Sequence, residues 1–128
     1  MAGVPVASIG PSVTSIYGRR LKLQDSACFA VSQSGKSPDI VALTKMASDE
    51  GALTFAVTNN QDSDLAAVSA HTLNLHAGAE RSVAATKTFV TSVVTAIWML
   101  AQWQDDKELL RAIHDLPEVL AAAARMDW

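Results

Sequence analysis

Short apolar runs of strand length alternate along this chain with stretches in which apolar residues recur every three or four positions. The runs Val4–Ile9, Ala27–Ser32, Leu53–Thr58 and Thr72–Leu75 read as strands, the first closed by Gly10-Pro11. Residues 12 to 18 read as a short helix or turn around Ile16 and Tyr17. Pro38–Glu50 has helical spacing, with Ile40, Leu43, Thr44 and Ala47 on one face and Gly51 as its stop. A short helix is expected at Asp64–Val68 after the polar loop 59–63. The longest periodic stretch is Val83–Gln104, where Val90, Val93, Val94, Ile97, Leu100 and Ala101 form a wide stripe. Phe89, Trp98, Met99 and Trp103 widen it further, which argues burial on more than one side. A last helical region covers Lys107–Met126, and Pro117 is expected to divide it because an interior proline loses a hydrogen bond and clashes with the preceding turn.

Strands alternating with helices predict an α/β fold with a parallel sheet and helices on both faces. In such sheets ligands bind beyond the carboxyl ends of the strands. The loops at residues 32–37, 59–63 and 76–82 therefore become the places to look for chemistry.

Composition removes several alternatives. The chain has 128 residues, 49% of them hydrophobic, which suits a globular domain with a real core. A net charge of −3 offers no basic face, and with few aromatic residues for stacking a nucleic-acid role is poorly supported. The apolar stretch Phe89–Trp103 is too short for a membrane span and is interrupted by Thr91, Ser92, Thr95 and Gln102. No signal peptide is visible at the start. Cys28 is the only cysteine, which fits a reducing cytoplasm and a core position rather than a disulfide. His71, His76 and His114 have no metal-site spacing, so neither metal nor cofactor is expected.

The densest chemistry lies in Ser32-Gln33-Ser34-Gly35-Lys36-Ser37-Pro38-Asp39, between an apolar strand and a helix. Ser37 is placed as an N-cap, Pro38 suits the first helical position, and Asp39 suits the first turn. Free backbone N–H groups at that end favour an anion. Gly35 permits a tight turn and close approach of a ligand to the backbone. The hydroxyls of Ser32, Ser34 and Ser37 and the amide of Gln33 are candidate donors to phosphate oxygens. Gly35-Lys36-Ser37 imitates the end of a nucleotide P-loop, but the glycine required five positions earlier is Ala30, so that reading fails.

The same segment resembles the phosphate loop of sugar isomerase (SIS) domains. Downstream, Gly78-Ala79-Glu80-Arg81-Ser82-Val83-Ala84-Ala85-Thr86-Lys87 is similar to the loop opening the long helix in the first SIS domain of isomerising glutamine–fructose-6-phosphate aminotransferases and of sugar-phosphate deaminase-like relatives. Thr58-Asn59 fits the same pattern. The resemblance implies a three-layer αβα sandwich with a flavodoxin-like sheet that binds a small phosphorylated sugar, such as fructose 6-phosphate or glucosamine 6-phosphate. It implies phosphate contacts from Ser32, Gln33, Ser34, Gly35 and Ser37, and sugar contacts from Val83 and Ala85. Threonine is common in the family where Ser37 stands, which keeps a hydroxyl; serine is common where Ala85 stands, which removes one contact.

The family pattern also implies a strand ending in a Gly-x-Gly-Ser-Ser type loop before Val4, a second SIS domain and a C-terminal tail. None of these is found in the sequence, which reads as a partial SIS domain (1–104) followed by a helical extension or linker (105–128). Glu80 and Lys87 are the candidate catalytic residues. Glu80 serves either as a base toward a sugar hydroxyl or as a helix-start carboxylate, and Lys87 either approaches the sugar or is solvated. A homodimer through the 83–104 helix is expected from its apolar stripe. The two functional readings are an isomerase portion of aminotransferase or deaminase type and a non-catalytic module that senses or retains sugar phosphate.

Overall fold

The computed structural model describes residues 3–81 and 84–126. It divides into two compact units, one built from 5–92 and the other from 93–126 with the first residues of the chain.

The larger unit contains α1 (Ser12–Ser15), β1 (Ala27–Val31), α2 (Pro38–Asp49), β2 (Leu53–Thr58), α3 (Asp64–Ala67) and β3 (His71–Asn74). The strands form one parallel sheet in the order β1-β2-β3. Ala27 pairs with Leu53 and Val31 with Val57, while Phe55 pairs with His71 and Thr58 with Asn74. Parallel neighbours need crossovers, and α2 and α3 supply them. The α/β class and the parallel sheet are as the sequence predicts.

Strand alternation explains how the sheet is used. Ala30, Thr54, Ala56 and Thr58 point toward one face and are buried. There Ala30, Ala56 and Leu65 form the core, with Ile40 and Val41 of α2 and Val68 packed against them. Thr44 is fully buried because its Oγ1 donates to the Ile40 carbonyl at 2.8 Å, which removes the cost of its hydroxyl. Thr54 is treated likewise, accepting from the Ala70 backbone N–H at 2.9 Å. On the other face Phe29 and Phe55 stack at 4.7 Å, and Phe55 stacks on His71 at 5.2 Å. Phe29 is nevertheless 44% exposed and Val31 52%, so α2 and α3 cover one side of the sheet only.

Val4–Ile9 is not a strand. Its residues are all exposed, Val6 to 91%, and none joins the ladder among the described residues. Apolar content marks a segment that suits a sheet, but a strand also needs a neighbour for its N–H and C=O groups, and Pro5 has no donor to offer. Cys28 is half-buried rather than enclosed, and its desolvation pushes the thiol pKa up.

The α4 helix (Lys87–Trp103) is followed in sequence by α5 (Lys107–Ala123). The turn between them places Asp105 at φ +49°, and Asp106 caps α5 by accepting from the Leu109 N–H at 3.0 Å. Pro117 does not divide α5, which passes through it unbroken. The proline is exposed, so water can replace the donor it lacks, and alanine and leucine on its C-terminal side favour continuation. No helix among the described residues is long and apolar enough to cross a membrane.

Candidate functional site

All three parallel strands end on the same edge, and the segments 32–37, 59–63 and 75–81 leave from it. The first of these is tied down from several directions. Asn59 N–H and Thr58 Oγ1 both donate to the Gln33 carbonyl, at 3.1 and 3.3 Å. Leu65 N–H donates to the Gly35 carbonyl at 3.0 Å. Gly35 itself has φ +65° and is buried against Ser63 and Thr58. The strand-to-helix junction is thus held by the exits of β2 and the start of α3.

Among the described residues, the hydrogen bonds inside the loop leave the Ser32 and Ser34 hydroxyl protons uncommitted. Ser32 Oγ accepts from Gly35 N–H at 3.2 Å, and Ser34 Oγ accepts from Lys36 N–H at 3.3 Å. A hydroxyl that accepts a backbone hydrogen bond keeps its own O–H to donate. Ser37 occupies the N-cap position of α2, with Pro38 at the first helical position, but its side chain makes no capping hydrogen bond. The backbone geometry is as the sequence predicts; the hydroxyl's role is different, since it remains available. Gln33 is exposed, and the N–H groups of Asp39 and Ile40 at the start of α2 lack intrahelical partners by position. Lys36 and Asp39 flank the junction with opposite charges.

Beyond β3, Lys87 Nζ donates to the Ala79 carbonyl at 2.6 Å. Glu80 Oε2 accepts from Thr88 N–H at 3.1 Å and from Thr88 Oγ1 at 3.2 Å. Glu80 therefore supplies from outside the helix the carboxylate that an N-cap side chain would supply, and α4 begins at Lys87 rather than at 83. The Thr88 backbone N–H holds the Glu80 carboxyl below the usual carboxylate range, with desolvation opposing and the Thr88 hydroxyl and Lys87 assisting. Val83 lies outside the described residues, and Ala85 is exposed just before α4.

Two open concavities lie at this edge. One is lined by Ala79, Glu80, Arg81, Thr86 and Lys87. The other is lined by Asn59, Asn74, His76, Gly78 and Ala79. Neither includes the Ser32–Ser37 loop; Asn59 connects that loop to the second of them through its backbone bond to Gln33. Glu80 and Lys87 come together in one concavity, while the serine loop stands apart from it. Sequence reasoning missed Ser63 and Thr88, whose roles depend on contacts distant in sequence. Among the described residues no cluster of metal-ligating side chains occurs.

The unacidified contact of Glu80 gives a pH prediction. A carboxyl whose folded pKa is depressed stabilises the fold above its ordinary pKa, near 4.5, and loses that contribution as pH falls through the folded value. Protection of the Thr88 amide against hydrogen exchange, corrected for intrinsic rates, should fall on acidification below that range. Glu80→Gln should lower protection at neutral pH and remove most of this dependence; an acid response equal to the wild type would assign it to another group.

The fold and its loops define a parallel α/β domain with a hydroxyl-rich junction between its first strand and following helix. The SIS domain profile matches residues 4–102, and the chain belongs to that family. It is similar to the glutamine–fructose-6-phosphate aminotransferase (isomerizing) of Campylobacter jejuni, with 35% identity over 104 residues, covering 81% of this chain and 17% of the relative. The corresponding enzyme of Halobacterium salinarum is 41% identical over 125 residues, covering 91% of this chain and 21% of the relative. A crystal structure of a protein described as a phosphosugar isomerase, from Silicibacter pomeroyi DSS-3, superposes with a TM-score of 0.94 at 60% identity. That match covers 98% of this chain and 38% of the other. The chain thus spans about a fifth of these curated relatives and less than two-fifths of the solved one.

Proposed function

We propose that this SIS domain binds a small phosphorylated sugar, with the phosphate on Ser32, Gln33, Ser34, Gly35 and Ser37. The observation that carries the reading is the set of hydroxyls at the start of α2: Ser32 and Ser34 accept backbone bonds and keep protons to donate, and Ser37 leaves its cap unmade. Relatives named as fructose-6-phosphate aminotransferases and a phosphosugar isomerase support a sugar 6-phosphate as the ligand class. The sugar would lie toward Ala85 and Val83. Residues 1–104 act as the SIS domain and 105–128 as a helical extension or linker.

Binding without turnover is the better account of this chain taken alone. Glu80 Oε2 is taken up by the Thr88 N–H and hydroxyl, and Lys87 Nζ by the Ala79 carbonyl. Isomerase or aminotransferase activity of the whole protein is the role in which such a domain would serve. A homodimer through α4 is supported by its exposed Phe89, Trp98 and Trp103. The single half-buried thiol suits a cytoplasmic setting.

Isothermal titration with fructose 6-phosphate and glucosamine 6-phosphate tests the reading. Ser37→Ala should weaken binding by about 1–3 kcal/mol with little change in stability, because its hydroxyl caps nothing. Equal affinity in the variant would remove Ser37 from the site. Interconversion of the sugar phosphates by the chain itself would overturn the reading of binding without turnover.

A further inference from the structure

The amide of Asn59 bridges two peptide groups of the loop beyond β3. Its Oδ1 accepts from Ala77 N–H at 2.9 Å, and its Nδ2 donates to the Gly78 carbonyl at 2.7 Å. Only this orientation of the amide satisfies both partners, since the flipped group would oppose donor to donor and acceptor to acceptor. The backbone N–H of the same residue donates to Gln33. One residue therefore joins the serine loop to the segment 77–78, its main chain serving one and its side chain the other.

The segment needs such a restraint. His76 and Gly78 both have positive φ, +50° and +68°, and residues 76–79 form no regular structure that would fix them. His76 N–H is held by Asn74 Oδ1 at 3.0 Å, and Ala79 by Lys87 on the far side. Asn59 supplies the bonds between these two anchors. Gly78 and Ala79 line the concavity that Asn59 itself borders, and Ala79 lines the neighbouring one as well.

Resting on the proposed sugar-phosphate reading, we propose that Asn59 is a positioning residue that sets the 77–79 backbone against the part of the ligand lying beyond its phosphate. The serine loop recognises the phosphate through groups that do not involve the Asn59 side chain. The side chain therefore governs discrimination between a sugar phosphate and phosphate alone.

The test titrates wild type, Asn59→Ala and Asn59→Asp with fructose 6-phosphate and with inorganic phosphate, and measures amide exchange of the ligand-free proteins. Asn59→Ala should weaken fructose 6-phosphate about tenfold, the effect of losing two ordinary hydrogen bonds, and leave inorganic phosphate within about twofold. Asn59→Asp keeps the acceptor for Ala77 but sets an oxygen against the Gly78 carbonyl, and its fructose 6-phosphate affinity should fall at least as far as that of Asn59→Ala. Exchange should quicken at Ala77, whose N–H the Asn59 amide oxygen holds, while Gly35 and Lys36 keep their protection. Unchanged sugar-phosphate affinity, or an equal loss for both ligands, would overturn the proposal. If the wild type bound neither ligand, the phosphate reading would fail by itself; unchanged protection of the Ala77 amide in Asn59→Ala would show separately that the amide positions nothing.

Discussion

Gly35→Ala is expected to lower the unfolding free energy by about 2–5 kcal/mol and to abolish sugar-phosphate binding. With φ at +65°, an L side chain at this position costs about 1–2 kcal/mol before any contact is considered. The added Cβ would also stand 2.1 Å from Ser63 Oγ, 2.5 Å from Ser63 Cβ and 3.1 Å from Thr58 Oγ1. Both neighbours are buried and engaged: Ser63 Oγ caps α3 by accepting from Ala66 N–H, and Thr58 Oγ1 bonds the Gln33 carbonyl. Moving them adds an overpacking cost of about 1–3 kcal/mol and endangers the cap. Gly35 stands between Ser32 and Ser37, so a backbone shift that relieves the clash moves the loop's hydroxyls from their places. Gly51→Ala provides the control. Its φ is +88°, but the nearest atoms are Gln24 Cγ at 3.4 Å and Cα at 3.7 Å, so only backbone strain of about 1–2 kcal/mol should appear. Urea unfolding of both variants, read beside titration, checks the pair. A Gly35→Ala protein as stable as Gly51→Ala would mean that the junction is not packed as described.

Leu65→Ala is expected to destabilise the larger unit by about 2–5 kcal/mol, the usual range for truncating a fully enclosed leucine. Leu65 is 0% exposed and is the largest member of a core whose other buried residues are Ala30 and Ala56. With alanines on the sheet side, no larger side chain can collapse into the space from there. Ile40, Val41 and Val68 are only partly buried and offer partial relaxation. The residue's N–H also holds the Gly35 carbonyl, a backbone bond that alanine can keep. Binding should therefore weaken less than stability does, the reverse of Ser37→Ala. A loss under about 1 kcal/mol would place the core elsewhere.

The contrast between legible and hidden parts of the structure follows from the range of the interactions involved. β1, α2, β2, α3 and β3 fall close to their predicted places because periodicity, the Ser37-Pro38 start, the Gly51 stop and the polar 59–63 loop are local signals. Val4–Ile9 has the apolar content of a strand, but no local signal tells whether a partner is present to take its hydrogen bonds. Pro117 was expected to interrupt a helix that the flanking sequence and Asp106 cap sustain. At the site, the serine loop was readable from hydroxyls gathered where a strand becomes a helix. The restraint on Gly35 by Ser63, the capping of α4 by Glu80 and the bridge from Asn59 to Gly78 join residues eight to twenty-eight positions apart, beyond the reach of any local pattern.

The most direct test of the central claim is to map fructose 6-phosphate onto the backbone amides of the labelled protein by nuclear magnetic resonance titration. The account predicts saturable shifts largest at Ser34 through Ile40, where the serine loop meets the first turn of α2, with smaller shifts at Ala77–Ala79. Shifts confined to Glu80–Thr88, or scattered without saturation while the serine loop stays silent, would contradict it.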